Sequence, residues 1–152
     1  MHNPLLVTMS SDNNSKHFAD LGAAFAAASP PINISNVGGS EFDGTGVFTF
    51  LIDDDTEEHI ERARVIAEDD LHFGFHRIAS RAIELSNRPG ELGRAAAQLA
   101  AAGINILSIL VVGVRAGRTL VSIGVDPGQS DSATENLAGF NFLSDDELEH
   151  QP

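Results

Sequence analysis

Two stretches of this chain place residues at one spacing. Phe18, Leu21, Gly22, Phe25 and Ala28 fall at i, i+3, i+4, i+7 and i+10. Leu92, Ala95, Ala96, Leu99 and Ala102 repeat that spacing at an offset of 74. Each set marks one face of an amphipathic helix. The tripeptide Ile32-Asn33-Ile34 recurs at an offset of 72 as Ile104-Asn105-Ile106, and the same offset places residues 48–54 on 120–126. The helices are offset by two residues more, so the first copy carries two extra residues around Pro30-Pro31. A chain built this way is an internal duplication. Its expected units are residues 1–78 and 79–152.

Both halves read as strand, helix, strand, strand, helix, strand. In the first, residues 5–9, 32–37, 47–52 and 71–78 are the strands, and residues 38–46 form a glycine-containing loop. Phe48, Phe50 and Ile52 share one side of the third strand, and Leu71, Phe73 and Phe75 one side of the fourth. Asp55 with Glu58 has the capping-box spacing ahead of a helix whose inner face is Ile60, Ala63 and Ala67. In the second half, residues 82–86 form a strand and Pro89 suits the first turn of the following helix. Gly103 stops that helix. The apolar run 104–114 and residues 119–125 form the next two strands, turning at Gly117. Ser130 or Asp131 caps a short helix through Leu137, residues 140–143 form a last strand, and the acidic residues 144–152 fray.

The order βαββαβ favours an antiparallel sheet with both helices on one face, the ferredoxin-like plan. The expected class is therefore α+β, with two tandem ferredoxin-like units. Either eight strands form one sheet, or two four-stranded sheets pack together, since pairing units removes exposed edges.

Composition narrows the function. Twenty-two acidic residues against nine basic ones give a formal charge of −13. That field repels polyanions, so neither nucleic acid nor an anionic membrane surface is an expected partner. The chain has no Cys, which excludes disulfides, zinc–thiolate sites and a cysteine nucleophile. The first residues lack the basic and apolar regions of a secretory signal. The longest apolar run, residues 104–114, is too short to span a bilayer. A cytoplasmic location is expected.

The segment Asn87-Arg88-Pro89-Gly90-Glu91-Leu92, followed by Leu99-Ala100-Ala101-Ala102-Gly103-Ile104-Asn105-Ile106, resembles an ACT domain, a small regulatory module attached to many amino-acid biosynthetic enzymes. The first half resembles the family in element order and in Pro31-Ile32-Asn33-Ile34, but lacks the Arg-Pro-Gly turn. The whole chain resembles stand-alone tandem-ACT proteins. The resemblance implies amino-acid binding at an interface between two copies of the unit, where the turn after the first strand meets the neighbouring copy. Asn87 and Asn105 match the two ligand-binding asparagines of serine-sensing members. The histidine those members carry two residues before the first asparagine is Leu85 here, which departs from serine specificity.

The resemblance makes Asn87, Arg88, Gly90, Glu91, Leu92 and Asn105 the expected ligand-binding set. Physical chemistry supports it independently. Gly90 lets backbone approach a ligand. The helix start at residues 90–92 offers free N–H groups to a carboxylate. Each asparagine offers both a donor and an acceptor, which suits a zwitterion. Ser11, Asp12 and Asn33 occupy the comparable places in the first half; Asp12 would repel a carboxylate but hold an ammonium. The alternative is that Pro89-Gly90 is only a tight turn and Asn87 only its cap.

Other chemistry is poorly marked. His72 and His76, four residues apart on a strand, are about 13 Å apart and cannot share an ion. Residues 53–55 are three aspartates that read as a helix cap rather than a cation site. Gly44-Thr45-Gly46 lacks the third glycine of a dinucleotide loop, and hydrolase, phosphate-loop and zincin motifs are missing. No cofactor, metal or catalytic residue is expected. The expected protein is a non-enzymatic regulator, a homodimer that senses an amino-acid effector and acts on a metabolic enzyme. The alternatives are a ligand-free structural subunit docking on such an enzyme, and an enzyme on the same fold.

Overall fold

The computed structural model describes residues 5–9, 15–43, 45–53 and 56–143, with backbone alone for 5–9, 15, 41 and 42. Two compact units emerge, one on Asn3–Arg77 and the other on Ile78–Pro152. The first contains β1 (Leu5–Met9), α1 (Ser15–Ala27), β2 (Ile34–Phe42), β3 (Thr45–Ile52), α2 (Glu57–Arg64) and β4 (Gly74–Arg77). The second contains β5 (Ala79–Ser86), α3 (Glu91–Ala101), β6 (Ser108–Arg115), β7 (Arg118–Val125), α4 (Ser130–Asn136) and β8 (Asn141–Phe142).

Each unit has its own four-stranded antiparallel sheet, ordered β2-β3-β1-β4 and β6-β7-β5-β8. The two orders are the same pattern, and it is the ferredoxin-like one. Among the described residues the eight strands pair as two sheets of four, not as one of eight. No helix of the described residues is long and apolar enough to cross a membrane.

Helices and one sheet face enclose each core. In the first unit, Leu21 and Phe25 of α1 meet Phe50 and Ile52 of β3 and Ile60 and Ala63 of α2. Phe25 and Phe50 pack edge to face, with ring centroids 5.7 Å apart, the geometry that the ring quadrupoles favour. In the second unit, Ala95 and Leu99 of α3 meet Ile83 and Leu85 of β5, Val121, Ile123 and Val125 of β7, and Leu137 beyond α4.

These cores correct the strand offset. An advance of 72 from Phe50 and Ile52 lands on Ser122 and Gly124, on the opposite sheet face. Their core counterparts are Ile123 and Val125, one residue further on. A one-residue slip exchanges the two faces of a strand, so the offset between the third strands is 73. The helices keep their offset of 74, with Leu21 and Phe25 matching Ala95 and Leu99. Ile32 and Ile104, both in their cores, keep 72.

Several boundaries also moved. The loop expected at residues 38–46 is mostly strand, because β2 runs to Phe42 and pairs with β3 through Gly38↔Thr49 and Gly39↔Phe48. Glycine is tolerated here because an aromatic ring covers it. A Cβ at Gly39 would stand 2.7 Å from two atoms of the Phe48 ring, and that ring is stacked on Phe18 at 4.6 Å. Gly39→Ala must therefore separate two packed rings. A loss of about 1–3 kcal/mol is expected, as for an overpacked site. Urea titration followed by circular dichroism measures it, and an unchanged midpoint would show that the ring yields freely.

The strand expected at residues 71–78 shortens to β4. Residues Val65–Asp70, into which the expected helix extends through Ala67, form a π-helical turn closed by Leu71 N–H donating to Ile66 O. His72 then takes a left-handed conformation, φ 60°. The first strand of the second unit begins earlier than expected, at Ala79, while β6 begins later, at Ser108, after an extended segment. The α2 cap is Thr56, whose hydroxyl accepts from His59 N–H; Asp55 lies outside the described residues. Neither Ser130 nor Asp131 caps α4. Asp126 instead accepts from Gly128 N–H and caps the short 3-10 turn that precedes it. Residues 144–152 also lie outside the described residues.

Candidate functional site

The Arg-Pro-Gly turn follows directly from its residues. The Glu91 N–H donates to Arg88 O at 3.4 Å across Pro89 and Gly90. Gly90 has φ 90° and ψ −10°. Proline second and a left-handed glycine third define a type II turn. Gly90 is also the residue from which α3 starts, and no side chain caps that start. Pro89 thus stands before the helix rather than in its first turn, and Asn87 is not a cap. The α3 first turn begins with N–H groups that have no intrahelical carbonyl.

Asn87, Arg88 and Gly90 are exposed, and Leu92 is 40% exposed. The Asn87 amide makes no hydrogen bond among the described residues. Glu91 behaves differently. Its carboxylate accepts from the Arg94 guanidinium at 3.1 Å. That bond holds the Glu91 carboxyl below the usual carboxylate range, against some desolvation; the charge of Arg94, the Ser86 hydroxyl and the charge of Arg88 act in the same direction. Glu91 is therefore an anion already standing at the positive end of α3. Leu85 is buried in the core.

Asn105 lies in the extended segment before β6, between buried Ile104 and half-buried Ile106, and is exposed. Its amide also makes no hydrogen bond among the described residues. The register shows where it stands. Ser86 pairs with Arg118, and Arg115 closes on Arg118, so the Asn87 turn and the β6–β7 hairpin share one end of the sheet. Ser108 pairs with Gly124, near Ala79↔Val125, at the other end. The seven steps from Ala79 to Ser86, at about 3.3 Å each, separate the ends by roughly 23 Å. Asn87 and Asn105 of one unit cannot touch one small molecule. A shared ligand requires a second unit.

In the first unit Asn33 Nδ2 donates to the Asp53 carboxylate, and Asp53 N–H donates to Asn33 O at 3.2 Å. Asn33 is thus engaged by its own unit, whereas Asn105 is not. Ser11 and Asp12 lie outside the described residues. Among the described residues no group of three or more His, Asp or Glu is placed to hold a metal ion.

The sequence reading overlooked Arg115. It is exposed, carries no ion pair among the described residues, and shares the Asn87 end of the sheet. The signal was its place in Arg115-Ala116-Gly117-Arg118, a basic hairpin in an acidic chain.

No protein-family model and no curated protein matches the chain. Solved structures do. Protein BT0572 from Bacteroides thetaiotaomicron superposes with a TM-score of 0.64 at 20% identity, covering 98% of this chain and 96% of its own. The regulatory subunit of aspartate kinase from Thermus thermophilus gives 0.62 at 12% identity, with 91% of each chain covered. A putative C-terminal regulatory domain of aspartate kinase from Porphyromonas gingivalis W83 gives 0.60 at 18% identity, again covering 91% of each. This chain has their fold. The match runs through both ferredoxin-like units, so the doubling of the unit is shared along with the unit itself.

Proposed function

We propose that the protein is a non-enzymatic regulator of the ACT type that binds an amino acid where two units meet and passes the change to a metabolic enzyme. The observation that carries this reading is the pair of uncommitted amides, Asn87 and Asn105, at opposite ends of one sheet. Two units side by side and antiparallel would bring one unit's Asn87 end against the other's Asn105 end. The edge strand β6 suits such a pairing. It exposes Ile109, Val111 and Val114 at 42%, 63% and 71%, more apolar surface than an edge facing water usually carries. A homodimer joined along β6 therefore holds two equivalent sites. Ligand bound across the junction shifts how the units pack, and a partner reads that shift. The aspartate kinase regulatory subunits that share the fold support an enzyme partner of this kind.

A thermal-shift screen of the amino acids tests the reading. A ligand at one hundred times its Kd stabilises by about 2.7 kcal/mol, several degrees for a protein of this size. Asn87→Ala removes a side chain that supports nothing else in the fold, so it abolishes the shift while leaving the unliganded midpoint in place. If no amino acid at millimolar concentration moves the midpoint, the protein is no amino-acid sensor.

A further inference from the structure

The amide-bearing turn shares its end of the sheet with a concentration of arginine that the rest of the chain does not explain. Nine basic residues serve the whole protein, and four of them, Arg88, Arg94, Arg115 and Arg118, stand here. Their acidic neighbours are Glu91, paired with Arg94 at 3.1 Å, and Glu84, paired with Arg118 at 3.4 Å. Among the described residues, four arginines against two carboxylates leave a formal +2 at this end, on a protein whose total is −13.

The surplus lies on two residues. Arg88 and Arg115 are exposed and have no ion pair among the described residues. The other cations on helices and strand ends are nearly all matched: Lys16 with Asp20, Arg62 with Glu58, Arg64 with Glu61, and Arg77 with Glu57. Ser86, Arg118 and Arg115 are neighbours on three adjacent strands, so Arg115 stands roughly 10 Å from the end of β5 at about 4.8 Å per strand. Arg88 is two residues past that end. Both residues stand at the Asn87 end of the sheet.

Guanidinium forks match carboxylates in pairs of hydrogen bonds. A neutral amino acid has one carboxylate and an ammonium, and two unpaired arginines exceed what it needs. The α3 start cannot take a second anion without meeting Glu91.

We infer that the effector is a dicarboxylic amino acid, its two carboxylates held by Arg88 and Arg115 and its ammonium by the asparagine amide oxygens. This rests on the reading of the protein as an amino-acid sensor and adds the class of ligand.

The test compares L-aspartate and L-glutamate with L-asparagine and L-glutamine, by calorimetric titration of the full chain. Each pair differs by one carboxylate. The acids bind at least about tenfold tighter than their amides, and raising salt narrows the gap. Arg115→Gln brings the ratio near one. Lys16→Gln, which removes the same charge from the exposed side of α1, leaves it unchanged. Amides that bind as tightly as the acids, or a ratio that Arg115→Gln and Arg88→Gln both leave intact, would overturn the inference while the sensor reading stands. If neither acids nor amides bind but another amino acid does, the inference falls alone. If no amino acid binds, both fall.

Discussion

Replacing Phe50 by alanine is expected to cost the first unit about 3–5 kcal/mol, the range for deleting a buried aromatic ring. Phe50 is fully buried. It sits at the centre of its sheet on β3 and meets Phe25 edge to face across the core. Its removal forfeits the transfer free energy of the ring and leaves a cavity that flanking Leu21, Ile52 and Ile60 cannot fill without leaving their own contacts. Much of the stability of an ordinary domain is of this size. The chain has neither Trp nor Tyr, so far-UV circular dichroism in urea is the measurement. Glu135→Ala, on the exposed side of α4, is the control and is expected to stay within about 0.5 kcal/mol. A Phe50→Ala loss below about 1 kcal/mol would mean that the first core is not packed as described.

Leu99→Ala is expected to cost the second unit about 2–5 kcal/mol. Leu99 is fully buried, and it and Ala95 are the α3 residues that join the core. The Leu99 carbonyl also accepts from Ile104 N–H at 2.9 Å, so this turn of α3 sets the path of the chain into the Asn105 segment. Each kcal/mol lowers the melting temperature of a small unit by about 4–8 °C, and a drop of at least about 8 °C is expected. Because α3 links the Asn87 turn to Asn105 across the sheet, any effector-induced shift should weaken as well. A variant that melts only about 2 °C lower, or less, would show that α3 is held by something other than Leu99.

Both substitutions act on residues whose role was readable in the chain. Leu99 and Phe50 stood on periodic apolar faces. Element type and order followed from those faces, because burial of one side is the strongest demand a helix or strand places on its sequence. The turn at Arg88-Pro89-Gly90 was readable too, since proline followed by glycine has few other uses.

Burial alone could not set lengths or register. Gly38 and Gly39 looked like a loop by composition, yet pairing with β3 and the cover of Phe48 made them strand. The offset of 72 held at Ile32 and failed at Phe50, because the second copy carries one more residue between Ile104 and β7, which shifts β7 by one. The split of residues 65–78 into a π-helical turn and a short β4 also depended on packing that no local propensity encodes.

The candidate site divides in the same way. By itself the sequence determined two ferredoxin-like halves, a sharp turn at Arg88-Pro89-Gly90, and asparagines before and after the crossover helix, because each follows from local periodicity or from the conformational limits of proline and glycine. Only the tertiary structure decided that Asn87 and Asn105 lie at opposite ends of the sheet, that Asn33 is engaged by Asp53, that Glu91 is held by Arg94, and that Arg115 stands on the Asn87 side. Those facts depend on strand order, which pairs residues distant in the chain.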